Sequence, residues 1–183
     1  MGRVWLIRHG ASVAPAGVAV GSGDPGLSEL GHHQALQLAE MLRGRPLEAV
    51  WSSDSLRARD TASFIAEPHR LRVQTAAALR EIDFGSWEGR FLGDLWQEDP
   101  EAARAWESDL RQTPPAFGET VAQLELRVGQ FWSELQPSLD GREVAIVAHR
   151  GSLAALRAVI TRCSFATAFG SPMDLGAAEA VDL

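Results

Sequence analysis

Short unbroken apolar runs alternate along the chain with longer stretches in which apolar residues recur at helical spacing. Residues 4–7 (Val4-Trp5-Leu6-Ile7) are wholly apolar, brief and soon followed by glycine, which favours a buried strand over a helix. Residues 10–27 are rich in Gly, Ala, Ser and Pro and read as a loop. Ser28 then has the placement of a helix N-cap, Leu36, Leu38, Ala39 and Leu42 form an amphipathic face, and Gly44 ends it. A second strand is predicted at 47–51. It leads to a helix capped by Ser53 or Asp54 that runs through Ala58, Ala62, Phe64 and Ile65 to a break at Pro68. Residues 72–75 are a weaker third strand. Residues 79–118 lose regularity, hold Trp87, Trp96 and Trp106 among charges, and read as a loop with short helices covering one side of the domain, with Pro114-Pro115 near their end. A long helix is expected at 119–139, with Val121, Leu124, Val128, Phe131, Trp132 and Leu135 at its spacing and Glu119 a further candidate for its cap. Residues 144–148 form the clearest strand, 152–160 a helix, and 177–183 an edge strand.

Strands alternating with helices predict an α/β fold: one domain over 1–183, with a mostly parallel central sheet between helical layers and a small helical cap inserted at about 84–118. A chain of 183 residues is long enough to bury a substantial core, and 45% hydrophobic content is ordinary for a soluble protein. The formal net charge of −7, with no basic tract, argues against general nucleic-acid binding and gives no attraction to an anionic membrane. An anionic substrate therefore needs a local cluster of arginines. The single cysteine, Cys163, cannot form an internal disulfide or a cysteine cage, and reads as a small apolar residue near a helix end. The first apolar run is too short for a secretory signal and nothing later reaches the length of a membrane span, so a cytoplasmic protein is expected.

Two distant segments echo one another. Residues 4–10 end in Arg8-His9-Gly10, and residues 144–151 end in His149-Arg150-Gly151. Each puts a histidine at the carboxyl end of a buried strand, the edge where open α/β sheets bind ligands. Neutral imidazole can attack phosphorus, and neighbouring cations disfavour its protonated form. Arg8 and Arg150 flank the two histidines, and their planar forks match phosphoryl oxygens. Gly10 allows close approach of backbone amides to those oxygens. A third element, Ser52-Ser53-Asp54-Ser55-Leu56-Arg57, starts a helix at the same edge. Arg57 there opposes the helix dipole, a placement that makes sense if it serves an anion. Around 79–89 three acids, Glu81, Asp83 and Glu88, compete to protonate a leaving oxygen, and spacing does not choose among them. His32 and His33 read as exposed positions on the first helix. No metal-spaced cluster appears, and no cofactor is called for.

Arg8-His9-Gly10, residues 53–62, Leu79-Arg80-Glu81 with residues 84–89, and Ala148-His149 occur in the order of the histidine phosphatase superfamily, also called phosphoglycerate mutase-like, which the chain resembles over about its first 160 residues. That resemblance implies the superfamily's three-layer αβα sandwich. It makes His9 the nucleophile, places Arg8, Arg57 and His149 around the phosphate with Gly10 and Ser12, and selects Glu81 as the proton donor, leaving Asp83 and Glu88 structural. Departures are Ala11-Ser12 for Glu-Thr, Pro15 for an asparagine, Val20 for a polar residue, and Arg150 for a glycine; Arg150 either adds a phosphate ligand or points to solvent. The compact chain, and the stretch from Leu79 through Pro114-Pro115-Ala116-Phe117-Gly118-Glu119-Thr120, resemble small phosphatases of the alpha-ribazole phosphatase type. The expected activity is hydrolysis of a small phosphorylated metabolite, alpha-ribazole 5'-phosphate or a sugar phosphate, by a monomer or homodimer. The competing readings are a cofactor-dependent phosphoglycerate mutase and a non-catalytic phospho-ligand-binding domain.

Overall fold

A computed structural model describes residues 2–109, 111–113 and 117–183. The expectations attached to Pro114, Pro115 and Ala116 lie outside the described residues. Five strands, β1 (Arg3–Arg8), β2 (Leu47–Ser52), β3 (Val73–Thr75), β4 (Glu143–Ala148) and β5 (Ala178–Asp182), form one sheet in the order β3-β2-β4-β1-β5. β1, β4, β2 and β3 run parallel, and β5 pairs antiparallel with β1. The sheet is mostly parallel as expected, and the closing strand is the expected edge strand, running antiparallel.

Strand side chains alternate between the two faces, and this alternation builds two cores. Ile7, Val50, Ala145 and Val147 pack under α1 (Glu29–Leu42) and α2 (Leu56–Ala66). Val4, Leu6, Val144 and Ile146 pack under α5 (Val121–Leu135) and α6 (Arg150–Thr161). β4 is buried along its whole length, as a strand covered on both faces must be. The layers are those of an αβα sandwich. α3 (Leu92–Glu98) and α4 (Pro100–Ser108) lie in the predicted cap, where Trp106 meets Trp87 edge-on at 5.5 Å. The short α7 (Phe165–Phe169) follows α6, and Cys163 between them is half-buried against the core rather than fully inside it.

Helix starts differ from the sequence reading in ways that matter at the site. Ser28 caps α1 as expected, accepting from Gly31 N–H, but Leu36 is half exposed and the buried face runs through Gly31, Ala35, Leu38, Ala39 and Leu42. α2 is capped at Ser55, not at Ser53 or Asp54: the Asp54 carboxylate is paired with Arg80, and Leu56 N–H donates to Asp24 instead. Thr120, not Glu119, caps α5 through a reciprocal capping box with Gln123. α6 begins two residues earlier than expected, at Arg150, so His149 itself is its N-cap.

The β1 to β2 connection passes through α1 on one face, whereas the β4 to β5 connection passes through α6 on the other. The chain therefore leaves the adjacent carboxyl ends of β1 and β4 in opposite directions. A crevice opens between them, the topological switch point at which doubly wound sheets bind ligands.

Candidate active site

The strand register fixes the first geometric relation. Arg8 is level with Ala148, so His9 and His149 emerge side by side, and His9 N–H donates to Ala148 O at 3.1 Å. Their ring centroids are 4.9 Å apart. The two histidines converge because two parallel neighbours end at one level.

The hydrogen bonds of His9 determine its tautomer. Nδ1 lies 2.7 Å from Gly10 O, which can only accept, so Nδ1 carries the hydrogen and Nε2 the lone pair. Arg57 Nε–H, 3.3 Å away, donates to that Nε2. Burial, followed by the charges of Arg57 and Arg8, outweighs the Gly10 hydrogen bond and pushes the His9 pKa down to about 3. His149 is fully buried and is also held neutral, well below the usual range, by burial and then by the cations around it. Neither of its ring nitrogens has a partner among the described residues, an unusual state for a buried imidazole. Both rings line the same cavity of about 650 Å³, together with Arg8, Arg57, Glu81, Ser12 and Arg150.

Arg57 is only 2% exposed. Its remaining contacts are carbonyls, Gly23 O at 2.9 Å and Val20 O at 3.3 Å, and burial lowers its pKa with no carboxylate bonded to it. Arg8 is likewise lowered by burial; Nη1 donates to Met173 O at 2.8 Å and Nε has no partner among the described residues. Two desolvated cations facing neutral imidazoles form a preorganised anion site.

The three competing acids are separated by their surroundings. Glu81 lines the cavity and accepts from Gly151 N–H through both oxygens at 3.0 and 3.1 Å. Glu88 is engaged elsewhere: its carboxylate gathers the amides of Gly21 (2.9 and 3.1 Å), Ser22 (2.8 Å), Gly23 (3.4 Å) and Phe84 (3.2 Å). Asp83 closes a local turn onto Gly85 N–H at 2.8 Å.

Two residues expected at the phosphate make further contacts within the fold. Gly10 N–H donates to Thr61 Oγ1 at 3.1 Å, and the reason for glycine there is packing: a Cβ would lie 2.5 Å from Gly31 O. Arg150 is exposed at the cavity wall, and its guanidinium stacks on the Phe169 ring, 4.3 Å from the centroid. Phe165 and Phe169, which sequence reasoning did not single out, wall the cavity with Leu30, Trp106 and Leu124. So does the apolar loop around Pro15 and Val20. Thr61 was quoted only as part of a motif, and Arg127, which bonds the Glu81 backbone at 3.0 Å, carried no signal beyond a charged position on a helix. Among the described residues no set of three or more His, Cys, Asp or Glu side chains converges as metal ligands would, and no helix is long and apolar enough to cross a membrane.

Residues 4–182 match the family model for the histidine phosphatase superfamily (branch 1). Adenosylcobalamin/alpha-ribazole phosphatase of Salmonella typhimurium is 34% identical over 182 residues, covering 99% of this chain and 90% of its own. Glucosyl-3-phosphoglycerate phosphatase of Mycobacterium tuberculosis is 34% identical over 169 residues, covering 87% and 75%. The crystal structure of the alpha-ribazole phosphatase from Shigella flexneri superposes with a TM-score of 0.91 at 32% identity, covering 99% of this chain and 90% of that one.

Proposed function

The chain belongs to branch 1 of the histidine phosphatase superfamily and is a phosphatase of small phosphorylated metabolites, and on that premise we propose that it hydrolyses a phosphomonoester with an apolar, ring-bearing leaving group through a phosphohistidine at His9. The observation that carries the mechanism is the His9 ring, fixed by Gly10 O with its Nε2 lone pair turned to Arg57 beside His149.

Arg8, Arg57 and His149 hold the phosphoryl oxygens, the neutral His149 ring donating its single N–H, which has no partner among the described residues, to the bound anion. Nε2 of His9 attacks phosphorus in line while the bond to the leaving oxygen breaks. Charge spreads over the equatorial oxygens, where the guanidinium groups stabilise it. The Glu81 carboxyl gives a proton to the departing oxygen. A water then attacks the phosphohistidine, Glu81 takes the water's proton, the N–P bond breaks, and His9 returns neutral. Protonation of His9 would remove the attacking lone pair, so the depressed pKa keeps the nucleophile available throughout the neutral range.

The cavity walls favour alpha-ribazole 5'-phosphate over a sugar phosphate. Beyond the charged groups and the two histidines, the side chains that line it are apolar or aromatic apart from the Ser12 and Ser28 hydroxyls. A polyol would leave most of its hydroxyls without partners there, whereas a riboside with a flat apolar base sets that base against the apolar walls and has only two ribose hydroxyls to satisfy. His9→Ala is expected to lower kcat by on the order of a thousandfold or more. Brief incubation of the wild type with labelled substrate should trap acid-labile phosphate on His9. Acid-labile phosphate recovered from the His9→Ala protein would overturn the assignment. In a panel of phosphorylated metabolites assayed without metal, alpha-ribazole 5'-phosphate should have a higher kcat/KM than sugar phosphates or phosphoglycerates.

A further inference from the structure

Glu81 sits on an irregular stretch between a short 3-10 turn (Ala77–Leu79) and the cap, with no strand to hold it. Its carboxylate accepts from Gly151 N–H at the start of α6 and from the adjacent Ile82 N–H at 2.9 Å, but neither contact anchors the segment's own carbonyls. Arg127 on α5 does. Its Nη1 donates to Ala78 O at 2.7 Å and to Arg80 O at 2.9 Å, and its Nη2 to Glu81 O at 3.0 Å. Its Nε and Nη2 donate to the two oxygens of Glu119, each at 2.7 Å. A guanidinium has five N–H donors, and these contacts engage them all. Three go to consecutive or near-consecutive carbonyls of the acid-bearing segment, and two go to the residue that leads into α5. The carboxylate partner neutralises a cation that would otherwise sit uncompensated behind His149, against which its charge already acts.

We propose that Arg127, locked by Glu119, is a positioning residue for the general acid: it sets the Glu81 backbone so that the carboxyl meets the leaving oxygen. This rests on the reading of Glu81 as that acid. Misplacing a catalytic group by about an ångström can cost about a hundredfold, and in the phosphorylation step the loss falls only on leaving groups that need the proton. Leaving groups that depart as stable anions do not need it. Lysine cannot reproduce five fixed donors, so Arg127→Lys should restore only part of the function.

The test measures kcat and kcat/KM of the wild type, Glu81→Gln, Arg127→Met, Arg127→Lys, Glu119→Gln and the Glu81→Gln/Arg127→Met double variant on dinitrophenyl, p-nitrophenyl and phenyl phosphate. Losses are read in kcat/KM, which reports the phosphorylation step in which Glu81 is the acid, apart from the hydrolysis of phosphohistidine, in which it is the base whatever the ester. Glu81→Gln should be slow on phenyl phosphate and near wild type on dinitrophenyl phosphate. Arg127→Met should show the same slope, losing about ten- to a hundredfold in kcat/KM on phenyl phosphate and less than about threefold on dinitrophenyl phosphate. Arg127→Lys and Glu119→Gln should fall between it and wild type. Arg127→Met should add little in the Glu81→Gln background, because the two changes remove one function. Equal losses on all three esters for both Arg127 variants, or full additivity in the double variant, would overturn the positioning role and leave only a structural one. A Glu81→Gln protein with no leaving-group dependence would instead overturn the acid assignment itself, and the inference with it.

Discussion

The His9 imidazole is neutral in the fold because water is excluded and two arginines are near, and this has a consequence for stability as well as for catalysis. The folded pKa of about 3 lies below the ordinary 6.5. The unfolded chain therefore binds a proton at His9 that the folded chain refuses over the interval between them. The contribution to stability is complete above about pH 6.5 and is lost as the pH falls through that interval toward 3. His149, shifted in the same direction, adds to the loss. Melting temperatures measured between pH 7.5 and 4.5 should fall more steeply for the wild type than for His9→Asn, which has nothing to protonate there. In the same interval, the acid limb of kcat/KM should not follow an imidazole of ordinary pKa. An acid limb centred near 6.5 for every ester, whatever the ester's own ionisation, would contradict the depressed value.

The N-terminus of α1 and the turn after β1 approach so closely that neither tolerates a side chain. A Cβ on Gly31 would lie 2.0 Å from Ala11 O, and both atoms in that contact belong to backbone. Gln34, one turn on, accepts from Ala11 N–H at 2.8 Å and donates to Leu175 O at 3.0 Å, tying the turn to the segment before β5. Gly31→Ala should therefore destabilise by about 1–3 kcal/mol or more and displace His9 with the turn, lowering kcat as well as the melting temperature. Ser28→Ala removes the cap to Gly31 N–H and the hydrogen bond its hydroxyl donates to Ala11 O at 3.1 Å; it creates no clash, and should cost about 1–2 kcal/mol and lower kcat less than Gly31→Ala does. Urea titrations read the first effect and steady-state rates the second; equal rates for Gly31→Ala and wild type would show that the turn is not held by this contact.

Across the molecule, the loop that carries the Arg57 acceptors is held by a residue more than sixty positions away. Glu88 binds the successive amides of Gly21, Ser22 and Gly23, and this nest keeps Val20 O and Gly23 O facing the guanidinium. The same loop pairs with the cap through Ala19 N–H to Arg90 O and Leu92 N–H to Gly17 O, both 2.9 Å. Glu88→Ala should leave several amides unsatisfied, cost about 1–3 kcal/mol, and raise KM for every phosphomonoester by freeing Arg57. A Glu88→Ala protein with lowered stability and unchanged KM would show that Arg57 keeps its position without the nest.

Much of this was legible before any coordinates. The strand ends at His9 and His149, the α/β alternation and the cap follow from apolar runs and spacing, since those patterns express the pleat and the helical turn directly. The ordered motifs identified Glu81 by resemblance where spacing left three acids open. Helix starts were misread at Ser53, Asp54 and Glu119 because a capping side chain can equally well bind an arginine that is distant in sequence, as Asp54 does with Arg80 and Glu119 with Arg127. The glycine after β1 signalled a close approach, and the fold shows that one such approach is to Gly31. Arg150, Phe169 and Arg127 acquired their roles only from contacts across the fold. The chain by itself determined which local conformations and which reactive groups exist. Only the tertiary arrangement decided which cations lie in low dielectric, which acid faces the cavity and which arginine holds it there, because those depend on distances between elements that no local pattern encodes.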